Sequence, residues 1–307
     1  MKNYPVTNKY NLPEEVCRAI MKDRYTAEED EEFDFSASTL VAPVQQTVLK
    51  HRHKDSLVVR DVTDYFWAFL GSIAHTVLEE AWKKTVNSFV EERLYTTTEG
   101  KILSGKLDCY ADGQVRDYKS TKAYKIMKGD YTDWEDQLNT YAYLCRVNNI
   151  PVQSLMVIAL IFDWKEYDKS KKNYPECPIV KIPLRLWSLD EQREHISHKV
   201  KQLILGYSLS DEDLSTALPC SERDMWQDVK DYAVIKTGAS RATKVFDNEE
   251  EATAHLNGLK NKEDYTVERR MTGRTRCLKH CPVSNVCQQN KKLSGTDTAD
   301  TVIDTIF

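Results

Sequence analysis

Long apolar runs are missing from this sequence. No window of 18 consecutive apolar residues occurs in the 307-residue chain, which argues against a membrane-spanning helix. Glycine and proline are sparse, at 10 and 9 residues, which excludes a collagen-like or low-complexity chain. The first fifteen residues contain no apolar signal segment, so we expect a cytoplasmic protein without a membrane association. No G-x₄-G-K-[ST] phosphate loop is present, which excludes an ATP-driven helicase.

An excess of one charge sign is also missing. The 43 basic and 48 acidic residues give a net charge of −5, whereas basic nucleic-acid-binding domains typically have a pI above about 9. A local basic stripe or a site built from carboxylates remains compatible with this balance. Apolar residues make up 41% and charged residues 30%, as in globular proteins.

Periodicity predicts an α/β core. A helix is predicted over 64–86, where apolar residues recur at helical spacing. A hairpin is predicted at Asp112-Gly113, a strong turn signal. A helix over 132–148, capped by Thr132, precedes a continuous apolar strand at 154–164. The strand-like segments between the two helices are 91–98, 101–110 and 114–121. Further helices are expected at 187–206 and 245–259.

Two carboxylates come together in the predicted hairpin. A two-residue turn at Asp112-Gly113 places Asp108 opposite Asp117, and Lys119 lies on the same face. Facing carboxylates repel each other unless a cation lies between them, and Mg²⁺ prefers such oxygen ligands. A lysine beside that cation suits the stabilisation of developing negative charge. The alternative is a solvated strand face with charged residues at its rim.

Each flanking helix carries a polar pair at i, i+4. His75 and Glu79 share a face of the first helix, and Gln137 and Tyr141 share a face of the second. Either pair alone is more typical of packing than of a functional site. Their order around the hairpin favours a site.

These strings resemble the RecB-type branch of the PD-(D/E)XK nucleases, and the wider chain resembles RecB-like exonucleases of bacteriophages. The matching strings are GSIAHTVLE (71–79), GKLD (105–108), DYKST (117–121) and QLNTY (137–141). The resemblance implies an α/β fold with an αβββαβ core. The implied activity is that of a Mg²⁺- or Mn²⁺-dependent exonuclease that cleaves linear DNA from its ends, in recombination, repair or processing. It also implies a bacterial or phage-infected bacterial cytoplasm. One departure is Arg116, which stands where the family name has proline.

The resemblance assigns roles by position. His75, Asp108 and Asp117 would bind the metal with the Tyr118 carbonyl. Lys119 would be the catalytic lysine, and Gln137 and Tyr141 would orient the DNA. The role of Glu79 is less defined. A structure-specific endonuclease and a non-catalytic DNA-binding adaptor with this fold remain alternatives.

Three of the eight cysteines crowd into one segment, Cys277-x₃-Cys281-x₅-Cys287. Such clustering without a signal segment favours a metal site over disulfides, with reduced thiols as the alternative. Cys220, in a Pro-Cys turn, is the first choice for a fourth ligand, and Cys17 is the second. His280 would instead complete a Zn²⁺ site. Spacing does not decide the metal, but the resemblance favours a [4Fe–4S] cluster.

Local basic clusters are candidates for DNA contacts, with solvated surface charge as the alternative. The candidates are Arg52, Lys54, Arg269, Arg270, Arg274 and Arg276. The aromatic residues Trp67, Trp134 and Tyr143 are candidates to line the same groove.

Four segments are predicted along the chain. They are an N-terminal arm (1–63), the nuclease core (64–210), an iron–sulfur segment (211–292) and an acidic flexible tail (293–307). The tail, with its terminal Phe307, resembles the C-terminal tips of single-stranded-DNA-binding proteins. It would dock a replication or recombination protein, or occupy the protein's own DNA groove as an electrostatic mimic of DNA. The alternative is a plain disordered end.

Overall fold

A computed structural model describes residues 6–22, 33–82 and 88–296. The chain divides into two compact units. The core unit contains residues up to 47 together with 59–208, and the cysteine unit contains 48–58 together with residues from 209 onward. The four predicted segments remain a prediction, and residues 297–307 of the predicted tail lie outside the described residues.

The core unit alternates helices with short strands. Its helices are α1 (Glu14–Met21), α2 (Ala37–Val41), α3 (Val44–Arg52), α4 (Phe66–Trp82), α5 (Ala123–Lys128), α6 (Thr132–Val147) and α7 (Leu189–Ser208), and the last residues of α3 belong to the cysteine unit. Its strands are β1 (Val6–Thr7), β2 (Phe35–Ser36), β3 (Arg60–Asp61), β4 (Ser88–Val90), β5 (Arg93–Thr98), β6 (Lys101–Lys106), β7 (Cys109–Ala111), β8 (Gln114–Thr121), β9 (Ser154–Ile161) and β10 (Ile179–Leu184).

A five-stranded sheet in the order β10-β9-β8-β7-β4 organises the core unit. β8 and β9 run parallel, and the other neighbours run antiparallel. β9 alternates buried and half-buried residues, and α6 is buried over most of its length, with Leu138 and Leu144 in the core. The predicted order of helix, strands, helix and strand is confirmed, and with it the mixed α/β class.

The predicted segment 101–110 is two strands rather than one. β6 pairs with β5 and β2 in a separate sheet, whereas β7 pairs with β8. The chain leaves one sheet for the other at Leu107 and Asp108. The predicted hairpin register is confirmed, because Ala111 pairs with Gln114 and Cys109 pairs with Arg116.

The predicted cap of α6 needs correction, and α4 is more exposed than its periodicity suggests. Thr132 does not cap α6, because it is already the first helical residue, and its backbone N–H donates to Asp130 Oδ1 at 3.2 Å. The apolar residues that recur along α4 are not all buried, since Ile73 and Val77 are 45% and 64% exposed. The helix itself is present, and residues 83–86 of its predicted span lie outside the described residues.

The cysteine unit contains a three-stranded sheet. Its helices are α8 (Asp211–Ala217), α9 (Glu249–Asn257) and α10 (Gln288–Thr296), and its antiparallel strands are β11 (Val229–Lys236), β12 (Ala242–Phe246) and β13 (Tyr265–Met271). The helix predicted at 245–259 is shorter, because its first residues belong to β12. No helix in the described part of the chain is long and apolar enough to cross a membrane.

Candidate active site

Asp117 and Lys119 lie on one face of β8, the middle strand of the five-stranded sheet. Asp117 is only 1% exposed, and the Lys119 ammonium lies 2.7 Å from its Oδ2 atom. Burial lowers the pKa of Lys119, but the neighbouring Asp117 carboxylate outweighs burial, so that this pKa is raised overall. The lysine therefore remains a cation inside the site.

Asp108 lies just outside the β7–β8 ladder, which ends at the Cys109–Arg116 pair. Its Oδ2 atom accepts a hydrogen bond of 2.9 Å from the backbone N–H of Tyr118. Burial, followed by repulsion from Asp117, raises the pKa of Asp108 well above its usual value. The two carboxylates therefore interact, as the hairpin register predicts, although Asp108 is positioned by a backbone hydrogen bond instead of by strand pairing.

His75 reaches this site from α4. Its Nε2 atom lies 2.8 Å from the Tyr118 carbonyl oxygen, and its Nδ1 atom lies 3.5 Å from Asp108 Oδ2. A carbonyl only accepts, so Nε2 must donate, and Nδ1 of the neutral ring keeps its lone pair. Burial lowers the pKa of His75, which favours the neutral ring. Gly71 permits a close approach of α4 to β8, because a Cβ atom there would lie 3.1 Å from Ser120 Oγ.

Gln137 and Tyr141 extend the site along α6. Lys119 Nζ donates a 2.8 Å hydrogen bond to Gln137 Oε1, and Gln137 Nε2 donates a 2.9 Å hydrogen bond to Tyr141 Oη. A continuous polar chain thus runs from Asp117 to Tyr141. Glu79 lies one turn after His75 and is half-buried.

The donor set fits a divalent cation in its chemistry. His75 Nδ1 is buried and has no hydrogen-bond partner, and the only close contact given for the buried Asp117 Oδ2 among the described residues is the ion pair with Lys119. Buried polar atoms are rarely left in this condition without an ion, water or function. Within residues 6–22, 33–82 and 88–296, however, no three His, Cys, Asp or Glu side chains are arranged closely enough to hold a metal.

The cysteines of the predicted cluster lie in one unit. The Cys220 backbone is held on both sides by Gln289, which accepts from its N–H at 2.8 Å and donates to its carbonyl at 2.9 Å. Gln289 follows Cys287 by two residues, so this pair of bonds places the Cys220 turn beside Cys287. Burial raises the pKa of the Cys220 thiol, and so do Asp224 and the thiols of Cys287, Cys277 and Cys281.

The two alternative ligands are placed differently. Cys17 belongs to the core unit, where its thiol lies 3.7 Å from the Leu12 carbonyl oxygen. The His280 ring lies 5.2 Å from the Trp226 ring, centroid to centroid.

Two further cysteines, Cys109 and Cys145, are packed in the core unit. Burial raises the pKa of the Cys109 thiol to about 11 and that of the Cys145 thiol to about 12, as expected for packed thiols.

The predicted DNA-binding arginines are largely engaged within the cysteine unit. Arg52 Nη1 lies 2.9 Å from Asp211 Oδ1, and Arg269 binds Glu222 through two nitrogens at 3.0 and 2.8 Å. Arg270 lies 3.6 Å from Asp231, whereas Arg274 is 5% exposed and donates to Asn290.

The remaining two basic candidates differ from each other. Arg276 lies over the Trp226 ring at 5.2 Å from its centroid, whereas Lys54 is exposed.

Of the three candidate aromatic residues, only Trp67 is exposed. Trp134 and Tyr143 are buried in the core, each with 7% of its surface exposed, so their predicted place in a groove is wrong. Phe162, which sequence reasoning missed, stacks on Trp67 with ring centroids 6.4 Å apart. No pattern in the sequence indicates this contact, because it joins α4 to the residue after β9, far away in the chain.

No family model matches the chain, and no curated protein matches its sequence. Solved structures match in part. The crystal structure of SSO0001 has a TM-score of 0.43 at 14% identity, over 61% of this chain and 85% of that one. LHK-Exo in complex with dAMP has a TM-score of 0.36 at 13% identity, over 60% and 92%. A putative exonuclease from Eubacterium rectale has a TM-score of 0.31 at 15% identity, over 58% and 68%.

Proposed function

We propose that this chain is a metal-dependent nuclease that hydrolyses phosphodiester bonds of DNA from free ends. The observation that carries the proposal is the meeting of the buried Asp108 and Asp117 carboxylates with Lys119 beside β8. Burying two carboxylates together is costly unless a bound cation compensates them. Action from ends, and a role in recombination or repair, rest on the resemblance of the motifs to phage RecB-like exonucleases.

The residues that would hold Mg²⁺ or Mn²⁺ are Asp108, Asp117, His75 through Nδ1, and the Tyr118 carbonyl. A divalent cation bound there would supply an activated water and neutralise charge on the phosphate. The backbone N–H of Tyr118 fixes Asp108 in place, and the Tyr118 carbonyl fixes the ring of His75. One residue of the central strand thus orients two candidate ligands from different elements.

Lys119 has the charge and position to stabilise the negative charge that develops on a phosphate during hydrolysis. Its pairing with Asp117 keeps it protonated. Gln137 orients the ammonium by accepting from it, and Tyr141 in turn accepts from Gln137. A DNA phosphate that displaces one of these hydrogen bonds would meet the Lys119 ammonium and the Gln137 amide, which are already held in the site.

We also propose that Cys220, Cys277, Cys281 and Cys287 hold a structural [4Fe–4S] cluster, with Zn²⁺ as the alternative. The bonds from Gln289 support Cys220 as the fourth ligand, because they place it beside Cys287. Repulsion among the thiols, which opposes their ionisation, would be relieved by a bound metal. A protein partner for the C-terminal tail stays a proposal based on its sequence.

The test compares end-labelled linear DNA, single- and double-stranded, with closed circular DNA, in Mg²⁺, Mn²⁺ or EDTA. The protein is purified without oxygen. Cleavage of linear DNA alone, abolished by EDTA, is the expected result. Cutting of closed circles would replace the exonuclease with an endonuclease. Binding without cleavage in either metal would favour the non-catalytic adaptor.

A further inference from the structure

An exposed aromatic patch lies on the same elements as the candidate active site. The aromatic patch consists of Phe66, Trp67 and Phe162, which are 42%, 50% and 38% exposed. The Trp67 and Phe162 rings are stacked with an interplanar angle of 23°, and the Lys122 ammonium lies 5.9 Å from the centroid of Trp67. Contiguous exposed apolar patches often mark binding sites, whereas single exposed apolar residues are normal on a protein surface.

The patch is held in place by the sheet that carries the catalytic residues. The Phe162 backbone N–H donates to the Thr121 carbonyl at 3.2 Å, which joins the ends of β8 and β9. Asp163 Oδ1 accepts from the Ala123 backbone N–H at 2.7 Å, which fixes the chain around Lys122. Phe162 and Lys122 are therefore positioned by hydrogen bonds of their own backbone neighbours.

The distance from the patch to the site can be read from the two elements that they share. Trp67 precedes His75 by eight residues on α4, which is about 12 Å along the helix axis. Lys122 follows Lys119 by three residues, which is about 10 Å along an extended strand. With bases about 3.4 Å apart in a stacked strand, the patch lies roughly three nucleotides from the candidate site of hydrolysis.

We infer that the aromatic patch is a stacking subsite for an unpaired nucleobase of a single-stranded DNA end; this inference rests on the proposed nuclease function. An indole face accepts any base, and a neighbouring ammonium pairs with the phosphate of the same nucleotide. Trp67 provides the face, Phe162 supports it, and Lys122 supplies the charge. The patch selects single strands, because bases in a duplex are already stacked on each other.

Binding is tested in the Asp117→Asn background, which removes cleavage, with a fluorescently labelled single-stranded oligothymidylate. Trp67→Ala is expected to weaken affinity by about 5- to 150-fold, the range of one lost base–aromatic stack. Trp67→Phe should restore most of the loss. Tyr95→Ala serves as the matched control, because Tyr95 is an exposed aromatic on β5, in another sheet, and its loss should leave affinity unchanged.

An abasic scan makes the test specific to stacking. A single abasic nucleotide is placed at each position of the oligonucleotide in turn. At one position it should weaken binding to the Asp117→Asn protein but cause no further loss of affinity when Trp67→Ala is also present. An equal penalty in both proteins at every position, or full affinity of Trp67→Ala, would overturn the stacking subsite. If the wild type still cleaves linear DNA, the nuclease proposal stands after that result. If the wild type neither cleaves nor binds DNA, both proposals fall.

Discussion

Lys119 Nζ lies 2.7 Å from Oδ2 of Asp117, two residues earlier on the same face of β8. The pair places a cation beside a carboxylate that is almost fully buried. Lys119 also donates a hydrogen bond to Gln137 on α6. The candidate site is therefore a chain of dependent contacts, and each link makes a separate prediction.

Removing the Lys119 charge should slow hydrolysis without abolishing DNA binding. Lys119→Met is expected to lower kcat by about 10²- to 10³-fold, as for other single groups that stabilise transition-state charge. Single-turnover cleavage measures this change. Lys101→Met is the control, because Lys101 lies on β6 of a different sheet and pairs with Asp34. An unchanged kcat in Lys119→Met would remove the lysine from the mechanism.

Gln137 should act by positioning Lys119. Gln137→Ala is expected to reduce kcat by about 10- to 100-fold, since it removes a hydrogen bond to a charged group. Tyr141→Phe, which deletes only the hydroxyl at the far end of the chain, should cost less. The double variant should lose little more than Gln137→Ala alone. Additive losses would mean that the two residues act independently.

Gly105 couples the second sheet to α6. A Cβ atom at this position would lie 2.4 Å from Leu144 Cδ1 and 3.0 Å from Tyr141 Cδ1. Gly105→Ala should therefore lower the free energy of unfolding by about 1–3 kcal/mol and also disturb Tyr141. Urea unfolding measures the change. Gly273→Ala is the control, because its nearest contact would be a side-chain atom 4.0 Å away. Equal stability of the two variants would contradict this packing.

We expect protonation of His195 to lower the free energy of unfolding in mild acid. Burial, together with the charges of Lys199 and His198, lowers the pKa of this ring from 6.5 to about 4. Because the folded pKa lies below the unfolded one, the stabilisation is complete above pH 6.5 and is lost as the pH falls toward 4. At pH 5 the loss amounts to no more than about 2 kcal/mol.

Urea unfolding at pH 7 and pH 5 measures that loss for the wild type and for His195→Gln. The wild type should lose more stability than the variant over this interval. Identical losses would show that His195 is equally easy to protonate in the folded and unfolded chains.

Serine substitutions at Cys220 and Cys17 distinguish the two candidate sets of cluster ligands. Cys220→Ser should lose iron and sulfide from anaerobically purified protein, whereas Cys17→Ser and Cys177→Ser should retain them. Cys177 is exposed and serves as the control thiol. Retention of full iron content by Cys220→Ser together with its loss in Cys17→Ser would reverse the assignment. Zinc in place of iron would select the alternative metal.

The sequence was sufficient for the order of the elements and for the hairpin register, because both depend on local signals. Asp112-Gly113 alone sets the pairing of Ala111 with Gln114. The sequence was insufficient to predict the break at Leu107 and Asp108. Nothing in the pattern of 101–110 indicates that its two halves belong to different sheets. That break gives Asp108 its backbone partner on Tyr118.

Exposure was the other quantity that the sequence did not supply. Trp134 and Tyr143 were predicted to line a groove and are buried, whereas Ile73 and Val77 on α4 are exposed. Periodicity identifies one face of a helix but does not say what covers it. The contact between Trp67 and Phe162 likewise joins α4 to the residue after β9, and these are far apart in the chain.

The most direct test of the central claim compares Asp117→Asn with Asp112→Asn in the cleavage of linear DNA. Both variants replace one carboxylate of the same hairpin with an amide of equal size. Asp112 lies in the turn at a φ of 48°, a conformation that asparagine tolerates well. We expect Asp112→Asn to cleave at the wild-type rate and Asp117→Asn to be inactive in Mg²⁺ and in Mn²⁺ while still folded. Wild-type cleavage by a folded Asp117→Asn would show that hydrolysis does not depend on this site.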